Sequence, residues 1–297
     1  MIVELGSHRY DVTTRALVMG ILNRTPDSFF DAGQYWDFDD FLVKASQLVD
    51  EGADFLDVGG VKAGPGLEVT EAAEMDRVVP AIQALRQRFD LPLSVDTWRA
   101  SVARESYAAG AVVGNDISGF ADPNYLSEAA KAGASVVACH VRLAPRIDDP
   151  EPVYDDLVGD VSCFLQQRAQ WAIDAGIPPQ RVMIDAGHDL GKTPEMSVEL
   201  LRRADELVAL GYPVFLSVSN KGFLGFLSNE AVDNRREITL AAHALGIGLG
   251  CRILRAHDVV GTRRVADFMS EILQRQASGS TSLAPQALLS PPQVLPT

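Results

Sequence analysis

The chain is poor in cysteine and has no long apolar run. Its three cysteines, Cys139, Cys163 and Cys251, lie far apart without a C-x-x-C pair, so the spacing supports neither a disulfide framework nor a structural zinc site. No uninterrupted apolar stretch approaches the roughly 18 residues of a transmembrane helix, and no secretory leader is recognisable. We therefore expect a cytoplasmic protein without a membrane span.

Basic residues are also scarce. The 297 residues contain 26 Lys and Arg against 40 Asp and Glu, which gives a formal net charge of −14. A surface of this sign repels nucleic-acid phosphates, so general nucleic-acid binding is not expected. Any anion that the protein binds must be held by a local group of cations.

The sequence contains an alternation with a period of roughly 30 residues, the size of one strand, crossover and helix. Segments between the apolar runs, such as 70–89 and 155–176, have helical periodicity. No glycine fingerprint for a dinucleotide follows the first run, so an α/β fold of the (β/α)8 TIM barrel type is favoured over a doubly wound sheet. The eight predicted strands are 15–22, 54–58, 92–97, 111–117, 134–141, 181–185, 213–219 and 252–257.

Two segments lie outside this repeat. Residues 1–14 resemble a short hairpin that could close the bottom of the barrel. Residues 277–297 are rich in Ser, Pro and Ala and carry no charge, which is typical of a disordered tail. We therefore predict one barrel domain over residues 1–276, followed by that tail.

Every predicted strand ends in polar residues. Barrel enzymes place their sites on the loops at these strand ends. A single Asn or Asp there often forms a turn or caps a helix, as is expected for Asp116, but convergence of all eight ends on one rim favours a site. The end residues are Asn23, Asp57, Asp96, Asn115 with Asp116, His140, Asp185, Ser219 with Lys221, and Arg255 with His257.

The charges at the strand ends are segregated along the chain. Carboxylates and amides follow the early and middle strands, whereas Lys221, Arg255 and His257 follow the last two, where phosphate sites of barrels commonly form. Such a rim suits a ligand with one anionic end and one end rich in N–H donors and ring acceptors. A fused nitrogen heterocycle that bears a phosphate meets both requirements.

Six ordered segments resemble the signatures of the dihydropteroate synthase family, which joins 6-hydroxymethyl-7,8-dihydropterin diphosphate to p-aminobenzoate. The resemblance covers about residues 15–275 and implies a single pterin-binding barrel. The segments are MGILNRTPDSFFDAG (19–33), SVDTWRASV (94–102), NDISG (115–119), DAGHDLGKTPE (185–195), SNKGF (219–223) and RAHDV (255–259).

The resemblance implies a role for each matching position. It assigns Asn23 to Mg²⁺ and the diphosphate, and it places Asp57 beside that region as a supporting residue. It assigns the pterin ring to Asp96, Asn115, Asp185 and Lys221, and the diphosphate to Arg255 and His257. It further implies Mg²⁺ as cofactor, binding of p-aminobenzoate analogues such as sulfa or sulfone drugs, and a homodimer formed through the last helices.

The chain departs from the family pattern mainly in three loops. Where the family has G-G-E-S-T-R-P-G, residues 59–66 read GGVKAGPG, and where it has S-R-K-S-F, residues 219–223 read SNKGF. The family's D-P-G-x-G-F-G-K is DAGHDLGK at 185–192. The altered positions are Val61, Lys62, Ala63, Gly64, Asp189, Leu190 and Asn220.

These changes affect the second-substrate side more than the pterin side. Lys62 could substitute in part for the lost arginine, whereas the carboxylate of Asp189 would repel a diphosphate or a carboxylated amine. His188 is expected to be either a new ligand contact or a solvated loop residue. The favoured hypothesis is a pterin-binding homologue that has lost ordinary synthase activity, and the alternative is a working dihydropteroate synthase.

Overall fold

The computed structural model describes residues 1–25, 37–64 and 66–278, and it confirms the predicted barrel. Eight parallel strands close in the order β10-β3-β4-β5-β6-β7-β8-β9, so sequential strands are neighbours throughout. The barrel strands are β3 (Leu17–Asn23), β4 (Phe55–Gly59), β5 (Leu93–Asp96), β6 (Val113–Asp116), β7 (Ser135–Cys139), β8 (Val182–Asp185), β9 (Val214–Leu216) and β10 (Ile253–Ala256).

Helices connect the strands and cover the outside of the barrel. The helix after β8 starts at a sequence signal that is typical of helix N-termini: the Thr193 hydroxyl accepts the Met196 N–H at 3.2 Å, and Pro194 is the first helical residue. The helices are α1 (Phe38–Asp50), α2 (Glu71–Arg88), α3 (Ala100–Ala109), α4 (Tyr125–Ala132), α5 (Leu157–Asp174), α6 (Pro194–Arg202), α7 (Ala204–Val208), α8 (Gly222–Ser228), α9 (Arg236–Leu249) and α10 (Val259–Ser278).

The N-terminal hairpin closes the bottom of the barrel, as predicted. Strands β1 (Ile2–Leu5) and β2 (His8–Asp11) pair antiparallel. Four hairpin side chains, Val3, Leu5, Tyr10 and Val12, pack against the apolar interior of the barrel. The interior layer is Leu17, Met19, Phe55, Val113, Val137, Met183, Phe215 and Ile253. The lower barrel is therefore a packed core, and a ligand can enter only from the opposite end.

Several predicted strands are longer than the observed ones. The run 213–219 contains the strand Val214–Leu216, because residues 217 and 218 leave the sheet ladder and the turn towards α8 follows at residues 219 and 220. The last helix reaches Ser278, two residues beyond the predicted domain limit, and the rest of the predicted tail lies outside the described residues. No described helix has both the length and the apolar character that crossing a membrane requires.

Candidate functional site

A layer of mostly polar side chains lies directly above the apolar interior of the barrel. Side chains of a strand alternate between the two faces of the sheet, so the residue two positions after an interior one also points inwards. Phe215, Met183 and Ile253 are interior residues, and Ser217, Asp185 and Arg255 follow them. The same alternation places Asp57 above Phe55 and Asn115 above Val113.

Arg255 is held by two carboxylates at the centre of this layer. Its Nε donates to Asp57 Oδ2 at 2.8 Å, and its Nη2 donates to Asp96 Oδ2 at 2.9 Å. Asp57, which is fully buried, also accepts the Ser94 hydroxyl at 2.6 Å and the Asn115 amide at 3.2 Å. Burial lowers the pKa of Arg255, but the two carboxylates outweigh it and the net shift is upward. The guanidinium is therefore charged and fixed in place.

The pKa of the Asp96 carboxyl lies near neutral pH. Burial raises its pKa, Arg255 lowers it and Asp57 raises it again, so that the net pKa is about 7. The ordinary value in an unfolded chain is about 3.9. Because the folded pKa is the higher one, the contribution of this group to stability is complete below pH ~4 and is lost as the pH rises to ~7.

We expect Asp96→Asn to remove this pH dependence. The unfolding free energy of the wild type, relative to that of the variant, should fall by about 2 kcal/mol between pH 5 and pH 8, since one pKa unit corresponds to about 1.4 kcal/mol. Urea titrations at both pH values would measure the difference. Asp90→Asn, which alters a fully exposed side chain, is the control and should leave the profile unchanged. If the unfolding free energies of the wild type and the variant differ by the same amount at both pH values, the raised pKa assigned to Asp96 is wrong.

Asp185 organises the loop that follows β8. Its Oδ1 accepts the Gly187 N–H at 2.7 Å. Gly187 has φ +66°, and a Cβ there would lie 1.9 Å from the carbonyl oxygen of His140, so only glycine fits. Burial raises the pKa of Asp185, and Lys221 opposes that rise.

Lys192, which sequence reasoning missed, fastens the same loop from behind. Its ammonium donates to the carbonyls of Gly187 and Leu190, each at 3.0 Å, and lies 2.8 Å from His140 Nδ1. Burial lowers its pKa to about 7 and that of His140 to about 3. A lysine in a glycine-rich loop is usually solvated, and only the paired carbonyls identify it as a structural residue.

The expectation that His188 could be a solvated loop residue is wrong. Its side chain is buried and stacks on Phe223 with the ring centroids 5.6 Å apart. It belongs to the lining of neither cavity described below. Its carbonyl accepts the Lys221 ammonium at 2.6 Å, which aims that lysine across the mouth of the barrel.

His257 lies at the mouth, beside Ser219. The Ser219 hydroxyl accepts the His257 backbone N–H at 3.2 Å and lies 3.0 Å from ring Nδ1. Burial and the charge of Arg255 lower the pKa of His257 to about 3, so the ring is neutral. Asn220 has φ +58° and points away from the barrel axis, where its Oδ1 accepts the Thr239 hydroxyl at 3.3 Å.

The main cavity, of about 380 Å³, opens at the mouth of the barrel. Of the predicted site residues it is lined by Asn23, Asp96, Lys221, Arg255 and His257. Asn115 and Asp185 are each 4% exposed and lie beneath this lining. Six of the seven altered positions also line it: Val61, Lys62, Ala63, Gly64, Asp189 and Leu190. An adjoining cavity of about 230 Å³ shares Ala63, Gly64, Asp189 and Leu190.

The loop that follows β4, residues 60–64 and 66, is here called the β4 loop, and hydrogen bonds from two arginines hold it over this cavity. Arg77 donates to the Gly60 carbonyl at 2.8 Å, and Val61 is buried. Arg146, from the loop after β7, donates to the carbonyls of Lys62 at 3.5 Å and Leu67 at 2.5 Å. Arg146 is in turn positioned by a loop that Arg142 and Asp149 brace through a two-point ion pair. Residues 146–149, the start of an acidic stretch, thus line the adjoining cavity.

The carboxylate of Asp189 is used within the protein. It accepts the Ser197 hydroxyl at 3.2 Å and the Phe223 N–H at 3.3 Å, and so caps the start of α8. A Cβ at Gly222 would lie 3.3 Å from Asp189 Oδ2, so Asp189 and a side chain at position 222 would crowd each other. The two departures from the family pattern, at 189 and 222, are therefore sterically coupled.

Ser217 is a second residue that sequence reasoning missed. Its side chain lines the main cavity, and its hydroxyl has no hydrogen-bond partner among the described residues. The alternation after the interior residue Phe215 is the signal that could have identified it. The predicted metal residue Asn23 lies in the first signature segment, 19–33, of which residues 26–33 lie outside the described residues.

Nothing among the described residues forms a group of three or more His, Cys, Asp or Glu side chains able to hold a metal ion. Among the side-chain oxygens that line the mouth, those of Asn23 and Asp96 lie near each other, on either side of Gly59. A Cβ built at Gly59 would lie 3.3 Å from Asn23 Oδ1 and 3.9 Å from Asp96 Oδ2. The site can therefore offer a hard cation one or two protein oxygens.

Comparison with known proteins agrees with this geometry. The sequence model of the pterin binding enzyme family matches residues 19–257. The chain is 44% identical to "Inactive dihydropteroate synthase 2" of Mycobacterium leprae, over 87% of this chain and 91% of that protein. It is 39% identical to the dihydropteroate synthase of Bacillus subtilis, over 88% and 90% of the two chains.

Solved structures give the same result. The dihydropteroate synthase of Yersinia pestis, in a complex with a sulfonamide drug, superposes with a TM-score of 0.87 at 36% identity, over 94% of this chain and all of that one. The enzyme of Xanthomonas albilineans with 4-aminobenzoic acid superposes with a TM-score of 0.83 at 36% identity, over 91% and 97% of the chains. The chain therefore belongs to the pterin-binding family of the dihydropteroate synthases.

Proposed function

We propose that this protein binds a pterin in the main cavity but does not catalyse dihydropteroate synthesis at an ordinary rate. The observation that carries the proposal is the contrast between the two sides of the cavity. The inward polar layer is complete, whereas the β4 loop, the loop at 186–192 and the loop at 220–222 have lost the groups that the family uses for the second substrate.

The polar layer can bind a pterin ring in the following way. Asp96, Asn115 and Asp185 offer oxygens and an amide to the aminopyrimidine edge, and Lys221 lies over the ring. Arg255 holds Asp57 and Asp96 in place and presents its remaining nitrogen to the ligand. This assignment of Asp96, Asn115, Asp185 and Lys221 is part of the proposal.

The mouth of the site suits Mg²⁺ only if the ligand supplies some of the oxygens that bind the ion. We propose that Asn23 would hold it together with phosphate oxygens of the ligand, since Mg²⁺ is commonly bound by one or two protein oxygens, water and substrate phosphates. When bound, the ion would neutralise diphosphate charge. The protein's own residues would orient the ligand through Asn23 and the His257 ring at the rim.

The second-substrate side supports the loss of activity. In place of the family's arginine, the pocket has Asn220, whose side chain faces Thr239, and Gly222 supplies no hydroxyl. Asp189 adds a carboxylate that disfavours an anionic p-aminobenzoate. Each lost preorganised donor typically lowers a rate by about 10²- to 10³-fold. Sulfa and sulfone analogues of p-aminobenzoate are accordingly proposed as weak ligands at most.

The alternative is a working dihydropteroate synthase. The retained Asn23, Asp96, Asn115, Asp185, Lys221, Arg255 and His257 favour it, as does the similarity to the Bacillus subtilis enzyme. The similarity to a protein described as inactive in Mycobacterium leprae favours the binding protein.

The test is dihydropteroate formation by the purified protein with the pterin diphosphate, p-aminobenzoate and Mg²⁺, beside an ordinary family member. We expect folded protein to bind the pterin and to form product at a rate lower by about 10⁴-fold or more, because several donors are missing at once. Turnover within about tenfold of the reference, a barrier difference of only about 1.4 kcal/mol, would establish the alternative.

We also propose a homodimer formed through the last helices. Leu245 on α9 and Phe268 and Ile272 on α10 are apolar and largely exposed, and these helices pack side by side. A second copy would remove this apolar surface from water.

A further inference from the structure

One cation in the main cavity is not explained by the family pattern. Lys62 comes from the altered β4 loop, at a position where the family has serine. Its side chain is half-buried and lines the cavity together with Lys221, Arg255 and His257. These four residues are the basic side chains of the lining within the described part of the chain, so their partners decide where an anion can bind.

Of these four residues, Arg255 and Lys221 have polar partners and His257 is uncharged. Arg255 is paired with Asp57 and Asp96 through two hydrogen bonds. Lys221 donates to the His188 carbonyl and lies close enough to Asp185 to oppose the rise in its pKa. The His257 ring is half-buried, lies beside the Ser219 hydroxyl, and is neutral because its pKa is lowered to about 3. None of these groups offers an uncompensated positive charge.

Lys62 differs from them. Its ammonium has no hydrogen-bond or ion-pair partner among the described residues. A half-buried cation without a partner lowers the free energy of any anion that reaches it more than a cation already shared with carboxylates does. Among the basic side chains of the lining, the cation without a partner therefore lies at the mouth, on the β4 loop.

The backbone of Lys62 is held in a way that directs this charge. Arg146 donates to the Lys62 carbonyl, Arg77 holds the carbonyl of Gly60, and Val61 between them is buried. Gly64 has no side chain, and a Cβ there would lie 3.8 Å from Lys62 Cε, so the lysine stem runs across it. The ammonium is thus carried on a supported loop instead of an extended free arm.

We propose that Lys62 is the principal anion-binding residue of this site, and that it binds the phosphate end of a phosphorylated heterocycle whose ring lies in the polar layer. The inference rests on the proposed pterin-binding function, but it transfers the anion contact from Arg255 and His257 to the β4 loop. A flexible ammonium binds a phosphate as a point charge, without the two-point geometry of arginine. We therefore expect moderate affinity that weakens with salt.

Calorimetric titration of inorganic diphosphate, and separately of neutral 6-hydroxymethylpterin, tests the proposal with four proteins. These are the wild type, Lys62→Met, Lys62→Arg and the control Lys131→Met, which alters an exposed lysine on α4. Lys62→Met should weaken diphosphate binding by about tenfold or more, as for the loss of one charge-assisted hydrogen bond, and leave the neutral pterin within about twofold. Lys62→Arg should retain most of the affinity.

Each outcome decides a point. Unchanged diphosphate affinity in Lys62→Met, or no diphosphate binding by the wild type, overturns the role of Lys62. If Lys62→Met spares diphosphate but weakens the binding of benzoate, titrated in the same way, the anion is a carboxylate and the phosphate assignment is wrong. If the wild type binds diphosphate through Lys62 but not the neutral pterin, the proposal stands while the proposed pterin-binding function fails.

Discussion

Restoring the family residues around the second-substrate side is expected to raise dihydropteroate formation by about 10²-fold or more, since it returns donors that act on developing charge. The variant combines Val61→Glu, Lys62→Ser, Ala63→Thr and Gly64→Arg with Asp189→Gly and Asn220→Arg. The geometry accommodates the changes at positions 64 and 189. Among the described residues, the Lys62 stem alone lies within 4 Å of a Cβ at Gly64, and Asp189 has φ +63°, which glycine adopts readily.

The structure also refines this design. Asp189→Gly removes the oxygen that a side chain at position 222 would approach at 3.3 Å, so Gly222→Ser can then be added to restore the lost hydroxyl. A matched variant that retains Asp189 should gain less, because its carboxylate still faces the cavity. Val61 is buried, so folding of each variant must be verified by its urea transition. A folded variant without any gain in product would show that loop divergence is not the cause of inactivity.

The barrel was predictable because its signals are local and repeated. Each unit carries its own apolar run, polar strand end and helix cap, as Thr193 with Pro194 illustrates. Parallel strands then bring their ends to one rim whatever the loops contain, so the approximate position of Asn23, Asp96 or Arg255 follows from topology alone.

The contacts within the site could not be predicted in the same way, because they join residues far apart in sequence. Asp189 suggests a free repulsive charge until Ser197 and the start of α8 are seen beside it. Lys192 suggests a solvated loop until the carbonyls of Gly187 and Leu190 surround its ammonium. Ser217 was missed for a different reason, since the predicted run 213–219 extended beyond the strand and hid its inward register.

The pairing of Arg255 with Asp57 and Asp96 leads to the largest expected loss of stability. Arg255→Met leaves two buried carboxylates without their cation, and breaking a buried ion pair in this way typically costs about 3 to 5 kcal/mol. Urea unfolding at pH 8 would measure the change. Arg203→Met, which removes a surface ion pair with Glu206, is the control and should have little effect.

The pH dependence of the stability loss in Arg255→Met distinguishes the loss of the ion pairs from the loss of side-chain packing. At pH 5 the Asp96 carboxyl is already protonated, since its pKa is about 7, so only Asp57 remains unpaired and Arg255→Met should cost distinctly less. A loss due to the missing guanidinium packing alone would be equal at both pH values.

The double variant Arg255→Met with Asp57→Asn should recover part of the stability at pH 8, because one uncompensated charge is removed. Failure of both results would mean that Arg255 stabilises the barrel chiefly by filling space, and its proposed role in orienting the ring-binding carboxylates would have to be abandoned.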